Sequence, residues 1–244
     1  MKYSDKPYIL DETEDYAVIF KPPRMHCAPL KNNSGNTLLD WYAAFFPPVM
    51  DLSGRKKGEG GLLHRLDFET QGLVLLAKNQ KTLDFLLTQQ DEGNFIKEYN
   101  AITQKAAPPH SSFPHSPIPP FPSCIESYFR PFGPGRKQVR PVTDTVGKGK
   151  EVVTDKGARY RTEIISVSEI GQDHLAFTLR LRRGFRHQIR CHLAWIGCPV
   201  LNDPLYGTYA NDEFLALRAT RLVFADPKNG SREPVVWQEY RIDS

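Results

Sequence analysis

Two rhythms of apolar and polar residues run along the chain. Tyr16-Ala17-Val18-Ile19-Phe20 is a β-branched and aromatic run that reads as a strand. Lys21-Pro22-Pro23 ends it, because proline donates no backbone hydrogen bond. Helical spacing follows: Leu38, Leu39, Trp41, Tyr42, Phe45 and Phe46 form an apolar stripe that Asn36 can cap and Pro47-Pro48 stops. Gly72-Leu73-Val74-Leu75-Leu76-Ala77 is a continuous apolar run of buried-strand length. A second helix is expected over about 81–90, with Leu83, Leu86 and Leu87 inward and Gly93 as its C-terminal cap. β patterning resumes over 95–103, again near Arg161-Thr162-Glu163-Ile164-Ile165, and over 174–181, where apolar and polar residues alternate. A third helix is predicted over about 186–195, closed by Gly197 and Pro199. Two late strands lie near Leu222-Val223-Phe224 and over 235–240. Between 106 and 122 the pattern breaks into seven prolines and several serines, an irregular excursion rather than a domain linker. Strands outnumber helices without alternating regularly with them, so the expected class is α+β.

Length and composition narrow this only a little. A chain of 244 residues, 40% hydrophobic and 25% charged, can bury a real core in one large domain or two small ones. No apolar stretch reaches the roughly 18 residues that cross a bilayer, and the N-terminus lacks the apolar run of a signal peptide. A cytoplasmic address without membrane contact is the expectation. The four cysteines form no C-x-x-C pair and are expected as reduced thiols. Charge adds more. The net +4 conceals two basic segments, 136–161 and 180–192, each carrying a net +5 and leaving −6 for the remainder. Such runs often form only a solvated face, but concentrated positive charge also fits a partner bearing phosphates.

Common nucleotide and hydrolase signatures are missing. There is no G-x-x-x-x-G-K-[ST] and no G-x-S-x-G, and Gly58-Glu59-Gly60-Gly61 lacks the last glycine of a dinucleotide fingerprint. His187 and Cys191 stand four apart on the predicted helix, a spacing compatible with zinc, but no further ligand motif supports it and no metal is expected. Two segments carry more chemistry. In His64-Arg65-Leu66-Asp67-Phe68-Glu69-Thr70-Gln71-Gly72-Leu73 an acid sits among leucines just before a buried strand, where a carboxylate is costly unless paired. In Gly184-Phe185-Arg186-His187-Gln188-Ile189-Arg190-Cys191-His192-Leu193, Arg186 and Arg190 would share one helical face while Ile189, Leu193 and Ile196 line the other.

These segments resemble the signature motifs of RNA pseudouridine synthases, in particular the RluA-type branch. His64-Arg65-Leu66-Asp67…Thr70…Gly72-Leu73 comes first, then Lys97-Glu98-Tyr99, then His187-Gln188-Ile189-Arg190…His192-Leu193. Gly197-Cys198-Pro199-Val200-Leu201-Asn202-Asp203…Tyr206-Gly207 closes the series. The opening strand with Lys21-Pro22 resembles the same family, and the similarity spans roughly 10–236 in the expected order. Three positions depart from the pattern: Gln71 in place of serine, Phe185 in place of arginine, and Asn202 in place of glycine.

The resemblance implies a single catalytic domain over 1–244, with a mixed, mostly antiparallel sheet, flanking helices and an active-site cleft, and no appended S4-type RNA-binding domain. It implies isomerisation of uridine to pseudouridine in tRNA or rRNA, by a monomer, without a metal or nucleotide cofactor. Asp67 would be the nucleophile, attacking either C6 of the uracil or C1′ of the ribose. Arg190 would be its guanidinium partner, keeping charge on a carboxylate that burial would otherwise neutralise. Tyr99 would stack on the extruded base, and His64 would be structural. Arg65 would reach toward RNA, with Arg180, Arg182, Arg183 and Arg186 and a second cluster of Arg136, Lys137 and Arg140 on flanking phosphates. The competing expectation is a catalytically silent RNA-binding relative acting in ribosome assembly.

Overall fold

The computed structural model describes residues 4–30, 35–104, 123–143, 159–207, 213–228 and 234–238. The proline-rich stretch at 106–122 lies outside them. By contacts the chain divides into two compact units, residues 1–97 with 218–244 and residues 98–217.

In the first unit two strands are buried along their whole length, β2 (Tyr16–Lys21) and β3 (Gln71–Ala77). Both faces of each meet core, which is why their sequences are continuous apolar runs rather than alternating ones. β1 (Tyr8–Glu12) flanks β2, and β3 runs parallel to β9 (Leu217–Ala225) through Gln71–Arg218 and Gly72–Ala219. β10 (Pro234–Gln238) pairs antiparallel with β9. At Gly72 the backbone has φ +120° and an added Cβ would lie 2.2 Å from the Ala219 carbonyl oxygen, so only glycine fits. The apolar faces of α1 (Leu38–Ala43) and α2 (Gln80–Asp91) are buried, and Leu83 and Leu86 of α2 join Val18, Leu73, Leu75, Phe95, Leu222 and Phe224 in one core cluster. The cap of α1 is Thr37, not Asn36: Thr37 accepts from the Asp40 N–H and Asp40 reaches back to the Thr37 N–H, a reciprocal capping box. Asn36 instead takes a left-handed backbone, φ +63°. Gly93 follows α2 with φ +80°, as expected of a residue just past a helix end.

In the second unit the strand order is β4 (Ile96–Gln104), β8 (His174–Leu181), β7 (Tyr160–Ile170), β5 (Ser123–Phe132), β6 (Gln138–Val142). β8 alternates buried and half-buried residues along its length, the period-two signature of a sheet with unlike faces. α3 (Gln188–Trp195) places Cys191 and Ala194 against Phe129, Val139, Tyr160 and Tyr206. It starts two residues later than predicted, because His187 is left-handed at φ 55° and cannot join the helix. Arg186 therefore precedes α3 and shares no helical face with Arg190. The class is α+β.

Candidate active site

Asp67 opens a tight turn in which its own carbonyl accepts the Thr70 N–H at 3.1 Å. It is half-buried, not enclosed as the sequence predicts, whereas Leu66 before it is buried. Three contacts hold this turn. The Lys21 ammonium, fully buried at the end of β2, donates to the carbonyls of Pro22 (2.8 Å), Met25 (2.8 Å) and Phe68 (3.3 Å). Burial pushes the Lys21 pKa down to about 8, while the Cys27 thiol and the carboxylates of Asp67 and Glu69 act the other way. Cys27 Sγ accepts the Leu66 N–H at 3.2 Å and lies 3.5 Å from the Leu66 carbonyl. His64 Nε2 accepts the Leu75 N–H at 3.3 Å, and burial with the nearby Lys97 ammonium holds its pKa well below the usual histidine range. His64 is thus a neutral strut under the turn. Arg65 is exposed and pairs with Glu59 at 3.1 Å.

Tyr99 is buried on β4, on the same face as buried Lys97 and Ala101 by strand alternation. Burial alone brings the Lys97 ammonium down to about 8.

Arg190 is almost wholly enclosed, and its planar fork meets Asp203: Nε to Oδ2 at 2.8 Å, Nη2 to Oδ1 at 2.7 Å. Asp203 Oδ1 also accepts the backbone N–H groups of Leu205 and Tyr206, and the Tyr206 ring centre lies 5.6 Å from the guanidinium carbon. Tyr206 is in turn fixed by the Val139 N–H, which donates to its hydroxyl at 2.7 Å. Asp203 stands inside the last sequence motif, but sequence reasoning gave it no role. The signal was there: an arginine on a buried helix requires a nearby acid.

Other polar side chains of this helical motif make contacts within the fold. Gln188 accepts the Phe185 N–H and donates to the Arg161 carbonyl and to Thr162 Oγ1. His192 lies between Ser127 Oγ (2.9 Å) and Thr162 Oγ1 (2.8 Å), and burial lowers its pKa to about 3. The Cys191 thiol donates to the Val139 carbonyl, and His187 Nδ1 faces the Tyr206 hydroxyl at 3.2 Å.

Of the basic residues proposed to meet RNA, Arg182, Arg183, Arg186, Arg136 and Lys137 are exposed. Arg186 donates to the carbonyls of Arg136 (2.8 Å) and Gln138 (3.2 Å), so the two basic segments adjoin. Arg140 is half-buried over the Phe132 ring at 3.8 Å, with Arg130 opposite it across the β5–β6 ribbon. Arg180 departs from expectation: it pairs with Glu98 through Nε (3.0 Å) and Nη2 (2.7 Å), an internal link rather than part of an exposed rim.

The three departures have local explanations of unequal depth. Asn202 adopts φ +60°, a conformation glycine and asparagine tolerate best, and its amide donates to Glu213 and to the Phe214 carbonyl. The Phe185 ring stacks on Phe129 at 4.9 Å and 3° and touches Tyr160, replacing a cation by an aromatic stack. Gln71 is fully buried with neither side-chain heteroatom hydrogen-bonded, and nothing in the structure explains it.

The family model described as RNA pseudouridylate synthase matches residues 15–195. An uncharacterized RNA pseudouridine synthase of Bacillus subtilis, YlyB, is 28% identical over 90% of this chain and 64% of its own length. The ribosomal large subunit pseudouridine synthase D of Haemophilus ducreyi is 28% identical over 91% and 64%. Its namesake from Escherichia coli is 30% identical over 82% and 52%. The chain thus spans roughly half to two thirds of these relatives. In fold it is similar to human RNA pseudouridylate synthase domain containing 1, with a TM-score of 0.66 at 18% identity over 98% of this chain and 86% of that one. The matched span runs from β2 through the Asp67 turn and Tyr99 to the end of the helix bearing Arg190, and on it the chain belongs to the RNA pseudouridylate synthase family.

Proposed function

We propose that this chain converts uridine to pseudouridine in structured RNA, with Asp67 as the nucleophile. The observation that carries the reading is the Asp67 turn: a half-exposed carboxylate on a loop fixed by a buried ammonium, a thiol and a neutral imidazole, in a chain of this family. A reacting group held this firmly needs little reorganisation when substrate arrives. Asp67 bonds to C6 of the uracil or to C1′ of the ribose, the C1′–N1 bond breaks, and the base turns. C5 then bonds to C1′, the C5 proton leaves, N1 ends with a proton in its place and the aspartate is released, so no oxidant or cofactor is consumed. Tyr99 stacks on the extruded base, and Arg190, clamped by Asp203, supplies fixed positive charge. The names of the relatives from H. ducreyi and E. coli favour large-subunit ribosomal RNA over transfer RNA as substrate.

Release of tritium from RNA labelled at uracil C5 tests this. Wild type is expected to release it from ribosomal RNA, and Asp67→Asn to release none. A wild-type protein that binds total cellular RNA yet releases nothing would instead be the silent relative.

A further inference from the structure

The residue after Asp67 is an aromatic, and the fold leaves it outside. Phe68 occupies the second position of the turn closed by the Thr70 N–H and is 39% exposed. Neither of the two core groupings described above includes it. Its backbone is nevertheless fixed, since its carbonyl accepts from the buried Lys21 ammonium. The half-exposed His26 ring lies against it, centroids 4.6 Å apart and planes tilted by 39°. His26 is fixed as well, its carbonyl accepting the first N–H of α1 from Leu38 at 2.8 Å. A tight turn favours a polar residue at this position, so a phenylalanine there costs solubility without stabilising a core.

We propose that Phe68, backed by His26, is a stacking platform for a nucleobase of the RNA beside the reacting uridine. This rests on the functional reading above. The carboxylates of Asp67 and Glu69 flank Phe68 and repel phosphate, so the group it meets is a base and not the backbone. Charge for the flanking phosphates is close in sequence: Arg24, two residues before His26, and Arg65, three before Phe68, are both exposed. Base stacking on a pre-fixed ring suits single-stranded or unstacked RNA, where every base offers a π-face.

The test is fluorescence titration of a single-stranded oligouridylate carrying one 2-aminopurine, whose emission falls when it stacks on an aromatic ring. Wild type is expected to quench. Phe68→Ala and Phe68→Leu should lose the quench and weaken binding roughly 5- to 150-fold, the range for loss of one base–aromatic stack. Phe68→Tyr, which keeps the ring, should stay within about twofold. Leucine binding as well as phenylalanine, or wild type failing to quench, overturns the proposal. Equal urea midpoints for the variants confirm that the exposed site is not needed for folding. Tritium release is scored separately. Quenching that depends on Phe68 without release refutes the isomerase reading alone, and release without such dependence refutes the platform alone.

Discussion

A guanidinium as enclosed as that of Arg190 must have its counter-charge in contact, and Asp203 supplies it with two nearly parallel hydrogen bonds. Removing one member of such a pair leaves an uncompensated buried charge and costs about 3–5 kcal/mol, whereas replacing both by apolar groups of similar size is often close to neutral. Asp203→Leu is therefore expected to lower unfolding free energy in urea by roughly that amount. Adding Arg190→Met should recover most of the loss. The double variant, folded but without the cation, is expected to release no tritium, which separates the structural part of the pair from its chemical part. A double variant that remained active would remove Arg190 from the reaction. Residue by residue, the ordered motifs single out Asp67, Tyr99 and Arg190 as candidates, and their roles are those proposed above. Asp203 and Lys21 drew no role, because a motif does not print its contacts: Asp203 stands 13 residues beyond Arg190, and the Phe68 carbonyl 47 beyond Lys21. Arg180 misled for the same reason: an arginine run says nothing about which member faces Glu98.

At the scale of elements, sequence rhythm located the runs that are buried throughout and missed strands of mixed exposure or interrupted by proline. β2, β3 and α2 appeared within a residue or two of their observed bounds because their apolar runs meet core. β1 has half-buried and exposed positions only, and β5 and β6 carry Pro131 and Pro141, which read as breakers but are tolerated in a ribbon whose outer strand is an edge. The start of α3 was misplaced by a single left-handed residue, His187. What anchors α3 is its inner polar side, and that side has a pH signature. His192, between Ser127 and Thr162, stays neutral in the folded chain down to about pH 3. Unfolded, the same imidazole gains a proton near pH 6.5. Below that point the unfolded state binds more protons, so stability falls as pH falls, by about 1.4 kcal/mol per pH unit for this group until the folded pKa is reached. His64 contributes in the same direction. His192→Gln is expected to be less stable than wild type at pH 7 but to lose less between pH 6.5 and 5. Parallel urea midpoints across that range in both proteins would contradict the assignment.

Across the whole molecule the modest net charge is unevenly divided. The unit of residues 98–217 carries 15 basic against 11 acidic residues, and the other unit carries 17 of each, so the entire +4 belongs to the former. Within that unit the two basic segments adjoin, since Arg186 reaches the backbone at Arg136 and Gln138. Arg136 and Lys137 are exposed there, whereas Arg180 is engaged by Glu98. Salt dependence distinguishes the two kinds. Each phosphate contact releases counterions and adds about 0.7–0.9 to the slope of log affinity against log salt concentration. Replacing Arg136 and Lys137 together by glutamine is therefore expected to make the slope for ribosomal RNA shallower by about 1.4–1.8, with urea stability unchanged. Arg180→Gln should do the reverse, lowering the urea midpoint through loss of the Glu98 pair while the slope stays the same. If instead the Arg180 variant flattened the slope and the Arg136/Lys137 pair did not, RNA would have to displace an internal ion pair in preference to cations already exposed between β5 and β6. The contact side of this unit would then be wrongly assigned.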